Sequence, residues 1–102
     1  MYTYIISDGT AIKIGKIDTK LYSVSYCMKS RLKSLQTGNP RKLRILGGFR
    51  SDIETSLHRR FKDFRLHGEW FENCIAFKIF ETRGYLHKDN FLYGKTEVSL
   101  FK

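Results

Sequence analysis

Met1-Tyr2-Thr3-Tyr4-Ile5-Ile6-Ser7 and Thr10-Ala11-Ile12-Lys13-Ile14-Gly15-Lys16 flank Asp8-Gly9. Two runs rich in Tyr, Ile and Thr around a dipeptide of this type read as a β-hairpin, because Asp-Gly suits the positive φ angles of a type I′ turn. With Asp8 and Gly9 as the two turn residues, Ser7 opposes Thr10, Ile6 opposes Ala11, Ile5 opposes Ile12 and Tyr4 opposes Lys13. A phenol and an ammonium group would then stand roughly 5 Å apart at their Cβ atoms on one face, with Ile5, Ile12 and Ile14 on the other. Gly15 lies just beyond, where a neighbour can approach the backbone closely.

Outward from the hairpin, residues 17–23 read as a loop. From Val24 to about Gln36 the apolar set Val24, Met28, Leu32 and Leu35 has helical period. Arg31 falls about 60° from Met28 on that helix and is expected half-buried, whereas Lys29 and Lys33 project away. Gly38-Asn39-Pro40 stops the helix, and Lys42 to Phe49 reads as a third strand. Ser51 and Glu54 match a capping box that opens a second helix, with Ile53, Leu57, Phe61 and Phe64 as its buried stripe. Asn73 is expected to cap a third helix running to about Arg83, with Gly84 as its stop. The order ββαβαα predicts an α/β (α+β) sandwich whose three-stranded, mainly antiparallel sheet is flanked by helices. Residues 1–84 form this domain and residues 85–102, which have no clear period, extend it.

The 102 residues are a prior for one modest core, and 41% hydrophobic with 15% aromatic residues is ordinary for a globular chain. No apolar run approaches the roughly 18 residues of a membrane span, and Asp8 interrupts the only short apolar run near the start, so neither a membrane nor a signal peptide is expected. Cys27 and Cys74 lack metal-ligand spacing and fit reduced packing residues of a cytoplasmic protein. Charge is the strongest compositional signal. The formal net charge is +9, and residues 1–50 carry 10 basic and 2 acidic side chains against 9 and 8 in residues 51–102. Such asymmetry points to a polyanionic partner such as nucleic acid, and Lys16, Lys20, Arg41, Lys42 and Arg44 are candidates for backbone phosphate contacts.

Tyr4, Lys13-Ile14-Gly15, Arg31-Leu32, Glu54 with Leu57-His58 at helical spacing, and Gly68-Glu69-Trp70-Phe71 follow one another in an order and placement that resembles the GIY-YIG nuclease superfamily, most closely its compact viral and phage branch. The likeness covers residues 2 to about 73. It implies a metal-dependent DNA endonuclease in which Tyr4, Lys13, Arg31, His58 and Glu54 are catalytic and Glu54 holds Mg²⁺ (or Mn²⁺), placed in the cytoplasm of a host cell if the origin is phage or viral. One such site cuts one strand, so double-strand cleavage would need a homodimer or two successive nicks. Lys13 stands where the family has its second tyrosine, and Leu35 stands where many members have a histidine or tyrosine. The connection between the first two motifs is two residues shorter than usual.

Each residue also has a plainer use. Tyr4 and Lys13 form an ordinary cross-strand pair, Arg31 snorkels at the edge of a core stripe, Glu54 completes a capping box and His58 flanks a buried stripe. If both hairpin residues act, the lysine lowers the phenol pKa and lets it accept a proton from water. Trp70 is expected buried, and Glu69 is placed to hold Arg31, Lys13 or His58. The rival readings are a catalytically inert DNA-binding module of the same fold and a phage or viral modulator that binds a host enzyme.

Overall fold

A computed structural model describes residues 1–89 and 91–95. Strand β1 (Tyr2–Ser7) and strand β2 (Ala11–Ile17) form the expected hairpin, followed by helix α1 (Val24–Gln36), strand β3 (Arg44–Phe49) and helix α2 (Glu54–Arg60). A single 3₁₀ turn (Lys62–Phe64) leads into the short strands β4 (Arg65–His67) and β5 (Trp70–Glu72), then helix α3 (Ile75–Arg83) and a second hairpin of β6 (Tyr85–Lys88) and β7 (Phe91–Gly94). The α+β class and the mainly antiparallel sheet agree with the sequence reading, but the main sheet has five strands in the order β3-β1-β2-β5-β4 instead of three. Three-residue strands leave too short an alternation to be legible in a sequence. Gly84 ends α3 in the left-handed conformation at φ 81°, as expected of a C-terminal glycine.

The hairpin register differs from expectation. Tyr4 pairs with Gly15, Ile5 with Ile14 and Ile6 with Lys13, a shift of two residues that puts Lys13 diagonal to Tyr4. The cause is the turn. The Asp8 carboxylate accepts hydrogen bonds from the Thr10 and Ala11 amides at 2.8 and 2.7 Å, and the Asp8 amide donates to the Ala11 carbonyl at 3.1 Å, so the loop closes over four residues. Side chains alternate with period two, so the shift leaves every residue on its expected face.

Those faces bury two cores. Ile5, Ile12 and Ile14 pack with Leu57, Phe61, Phe71, Phe77, Phe80 and Leu86 beneath α2 and α3. Tyr2, Tyr4, Ile6 and Ile17 pack with Val24 and Met28 beneath α1. The second hairpin thus donates Leu86 to the first core, which gives the front of the expected extension a place; residues 90 and 96–102 lie outside the described residues.

Two expected caps are absent. Helix α2 begins with Ile53 as its N-cap and Glu54 as its first residue, so Ser51 does not cap it. Instead the buried Thr3 hydroxyl on β1 donates to the Ser51 carbonyl at 2.7 Å and accepts from the Ile53 amide at 3.0 Å. A side chain about fifty residues away supplies what a capping box would have supplied locally, and Glu54 is left free of that duty. Helix α3 has Cys74 as N-cap without a side-chain hydrogen bond, and Asn73 Oδ1 is buried without a partner among the described residues.

Candidate active site

Tyr4 stands on β1 between two neighbours, with Gly15 beside it on β2 and Gly48 beside it on β3. A Cβ on Gly15 would collide with the Tyr4 hydroxyl and ring, so the glycine is what lets the ring lie flat across β2. Tyr4 is 1% exposed. Burial pushes its phenol above the ordinary value, against the charges of Lys13 and Arg31 and a hydrogen bond from the Arg31 guanidinium. The cation-lowered phenol expected from the sequence is therefore corrected: desolvation outweighs both cations here.

Arg31 reaches the phenol from α1 but is itself exposed and not half-buried, which leaves guanidinium donors facing outward. Lys13 is half-buried. Its ammonium donates to Glu69 Oε1 at 2.8 Å and lies 5.7 Å from the Trp70 ring centre, so it answers to Glu69 as well as to Tyr4. Trp70 is half-buried and not buried as expected, because it packs against the margin of the second core while its ring also covers this lysine.

Glu69 is where the two faces of the sheet meet. Strand β5 pairs with β2 only from Ala11 to Lys13, and the Ile14 amide then donates to the Glu69 carbonyl at 3.0 Å. Beyond that point the β2 edge is not covered by β5, and α2 can reach it. His58 closes it through Nε2, 2.9 Å from the Ile14 carbonyl. A carbonyl only accepts, so Nε2 carries the hydrogen and Nδ1 of the neutral ring keeps its lone pair. The ring also meets Phe71 edge-on at 5.0 Å between centroids.

Glu54, His58 and Glu69 each present a ligating atom, and these atoms lie within 4.8 Å of one another. Trans ligands of a hard ion at ~2.1 Å are about 4.2 Å apart, so a small rotamer adjustment would bring the two carboxylates and the imidazole to one ion. Electrostatics points the same way. Burial, then the neighbouring Glu69, raises the Glu54 carboxyl above its ordinary value, opposed by His58 and Lys16. Two partly buried carboxylates side by side gain from a divalent cation, so Glu54, Glu69 and His58 are the described residues that could hold one.

The expected catalytic residues Tyr4, Lys13, Arg31, Glu54 and His58 are thus brought together, and Glu69, which the sequence offered only as a support, sits at their centre. Its signal was the Gly68-Glu69-Trp70-Phe71 motif. The expected phosphate contacts do not gather as one group. Lys16 is at the site, paired with Asp52 at 3.2 Å. Lys20 is on the loop after β2, its amide donating to Asp18. Arg44 faces Ser7 at the turn end of β1 and pairs with Glu81 of α3. Arg41 is near Asp8, whose carboxylate is lowered despite burial by the turn amides and by this arginine, and Lys42 is exposed next to it in the chain.

No helix among the described residues is long and apolar enough to cross a membrane. Comparison with protein-family models, with curated proteins and with solved structures gives no match for this chain.

Proposed function

We propose that this protein is a metal-dependent DNA endonuclease of the GIY-YIG type, hydrolysing phosphodiester bonds at one site. The observation that carries the reading is the linkage of two half-sites through one side chain. Glu69 ties Lys13, Tyr4 and Arg31 on one face of the sheet to Glu54 and His58 on the other. A phosphodiester needs charge neutralisation, an aligned water and a proton acceptor, and each has a candidate here.

Glu54 and Glu69, with His58 beside them, would hold Mg²⁺ or Mn²⁺, which when bound supplies Lewis-acid polarisation of the phosphate. Arg31 binds the phosphate through its outward donors and offsets the charge that builds up on it. Tyr4 stays neutral at pH 7 and orients the attacking water by its hydroxyl. Lys13 holds Glu69 and adds positive charge beside the phenol. His58, its Nε2–H held by the Ile14 carbonyl, has one lone pair left, on Nδ1, which serves either as the third metal ligand or as the proton acceptor and not as both.

The test is incubation of the pure protein with supercoiled plasmid and Mg²⁺, Mn²⁺ or EDTA. Nicked circles are expected only with metal, and Glu54→Ala should abolish them with the fold intact. Cleavage in EDTA, or an Ala variant that cuts normally, would overturn the reading. One observation favours a second reading, an inert DNA-binding module of the same fold: Lys13 is engaged by Glu69 and the phenol is raised, so neither hairpin residue is poised as a strong base. That reading expects binding that weakens steeply with salt and no cleavage with any metal.

A further inference from the structure

Leu21, Tyr22 and Tyr26 are 83%, 60% and 59% exposed, a cluster of large apolar side chains just before and at the start of α1. Tyr22 and Tyr26 lie against each other with ring centres 4.9 Å apart and planes tilted by 34°. They line a groove of about 440 Å³ that runs between Ile17 and Asp18 on one side and Ser30 and Arg31 on the other. Packing does not require these aromatics, since the α1 stripe that meets the sheet is Val24 and Met28. The same arginine that touches Tyr4 therefore closes an aromatic groove on its outer side.

The charge around the groove identifies the class of partner. No acidic residue occurs between Asp18 and Asp52, while Lys20, Lys29, Arg31 and Lys33 fall on this loop and helix. Asp18, the acidic residue of the lining, accepts the Lys20 amide at 2.8 Å through its carboxylate. An acidic protein would satisfy the charges but has no special use for two exposed tyrosines beside an arginine. A nucleotide uses both, because its base stacks on an aromatic face and its phosphate takes a guanidinium. Arg31 follows Tyr26 by five residues, a rise of about 7.5 Å and a turn of about 140° on the helix, and both side chains line the groove, which gives base and phosphate separate seats.

A base inside a duplex is already stacked on both sides and cannot offer its face to a side chain, whereas an unpaired one can. We propose that the groove along α1 seats an unpaired nucleotide, its base on Tyr26 and Tyr22 and its phosphate on Arg31, so that the substrate is DNA with a single-stranded segment next to the scissile bond. The site rests on the nuclease reading for its orientation toward the cut but not for its binding.

The test uses 2-aminopurine oligonucleotides as single strand, flap and full duplex, titrated with the full chain in EDTA so that no hydrolysis occurs. Quenching is expected for the single strand and the flap and not for the duplex. Tyr26→Ala should weaken single-strand binding by roughly five- to 150-fold, and Tyr26→Phe should restore it. Equal binding of duplex and single strand, or an Ala variant that binds the single strand as the parent does, would overturn the proposal. So would a parent dimer, by sedimentation, that Tyr22→Ala or Tyr26→Ala turns into monomer without a change in DNA binding, since the occupant would then be a second copy. The two readings separate cleanly. Quenching without metal-dependent cleavage removes the nuclease and leaves the groove, whereas cleavage of duplex and flap at equal rates by parent and Tyr26→Ala removes the groove and leaves the nuclease.

Discussion

Tyr2 and Tyr4 occupy the same face of the same strand two residues apart, both are buried, and both lie where a flanking glycine makes room: Tyr2 over Gly48 and Tyr4 over Gly15. Local sequence cannot separate them. Their surroundings do. Among the described residues the Tyr2 hydroxyl has no hydrogen-bond partner, and burial, only partly offset by the Arg50 charge, pushes it up to about 12. The Tyr4 hydroxyl meets Arg31, with Lys13 and Glu69 near it, and its burial acts against two cations and a hydrogen bond. A phenol acquires chemistry from the charges that other elements bring to it, and the Tyr2 end of β1 is the built-in control for the Tyr4 end.

The severest way to break the comparison is Gly15→Val, which removes the space for the Tyr4 ring. Overpacking of this kind costs typically 1–3 kcal/mol, so a lower melting temperature should accompany a complete loss of cleavage. A variant that keeps both would mean that the ring position is immaterial.

Tyr4→Phe comes next. Losing a group that positions or takes a proton should lower cleavage by about two to four powers of ten with little change in DNA affinity. Because the phenol is raised, wild-type activity should show no requirement for the phenolate and no steep climb toward the tyrosine range. Lys13→Met raises the phenol further and frees Glu69, so any limb of the pH–rate profile that belongs to Tyr4 should move to higher pH. Normal cleavage by both variants would reduce Tyr4 to the status of Tyr2.

A smaller effect sharpens the metal side. The folded Glu54 carboxyl is raised above its unfolded value, so its contribution to stability is full at acid pH and is lost as pH rises through the folded pKa. Glu54→Gln should therefore raise the melting temperature at pH 7 in EDTA. Metal should reverse the ranking: at a hundred times its dissociation constant a cation bound only to the native state adds about 2.7 kcal/mol to the wild type, and the Gln variant should lose most of that gain. A wild-type melting curve indifferent to Mg²⁺ and Mn²⁺ would remove the metal from the cluster.

The smallest effect is expected from Tyr2→Phe. An unpartnered buried hydroxyl contributes no hydrogen bond, so its removal should leave cleavage unchanged and stability equal or up to about 1 kcal/mol higher, read from denaturant midpoints. Loss of cleavage would show that the two tyrosines act together.

By itself the sequence determined the hairpin, the bounds of α1, the glycine stop of α3 and the faces on which Ile5, Ile12 and Ile14 part from Tyr4 and Lys13. These are matters of periodicity and of turn chemistry, carried by neighbours a few residues apart, and the period of two protected the faces even where the register slipped. Only the tertiary structure decided the rest. Thr3 displaced Ser51 at the start of α2 and released the Glu54 carboxylate. The early end of β5 let Glu69 reach groups on both faces, and Arg31 was turned outward between the phenol and the α1 groove. Each of these rests on contacts between residues far apart in the chain, and a local pattern holds no record of which distant side chain will outcompete a neighbour for the same hydrogen bond, edge or charge.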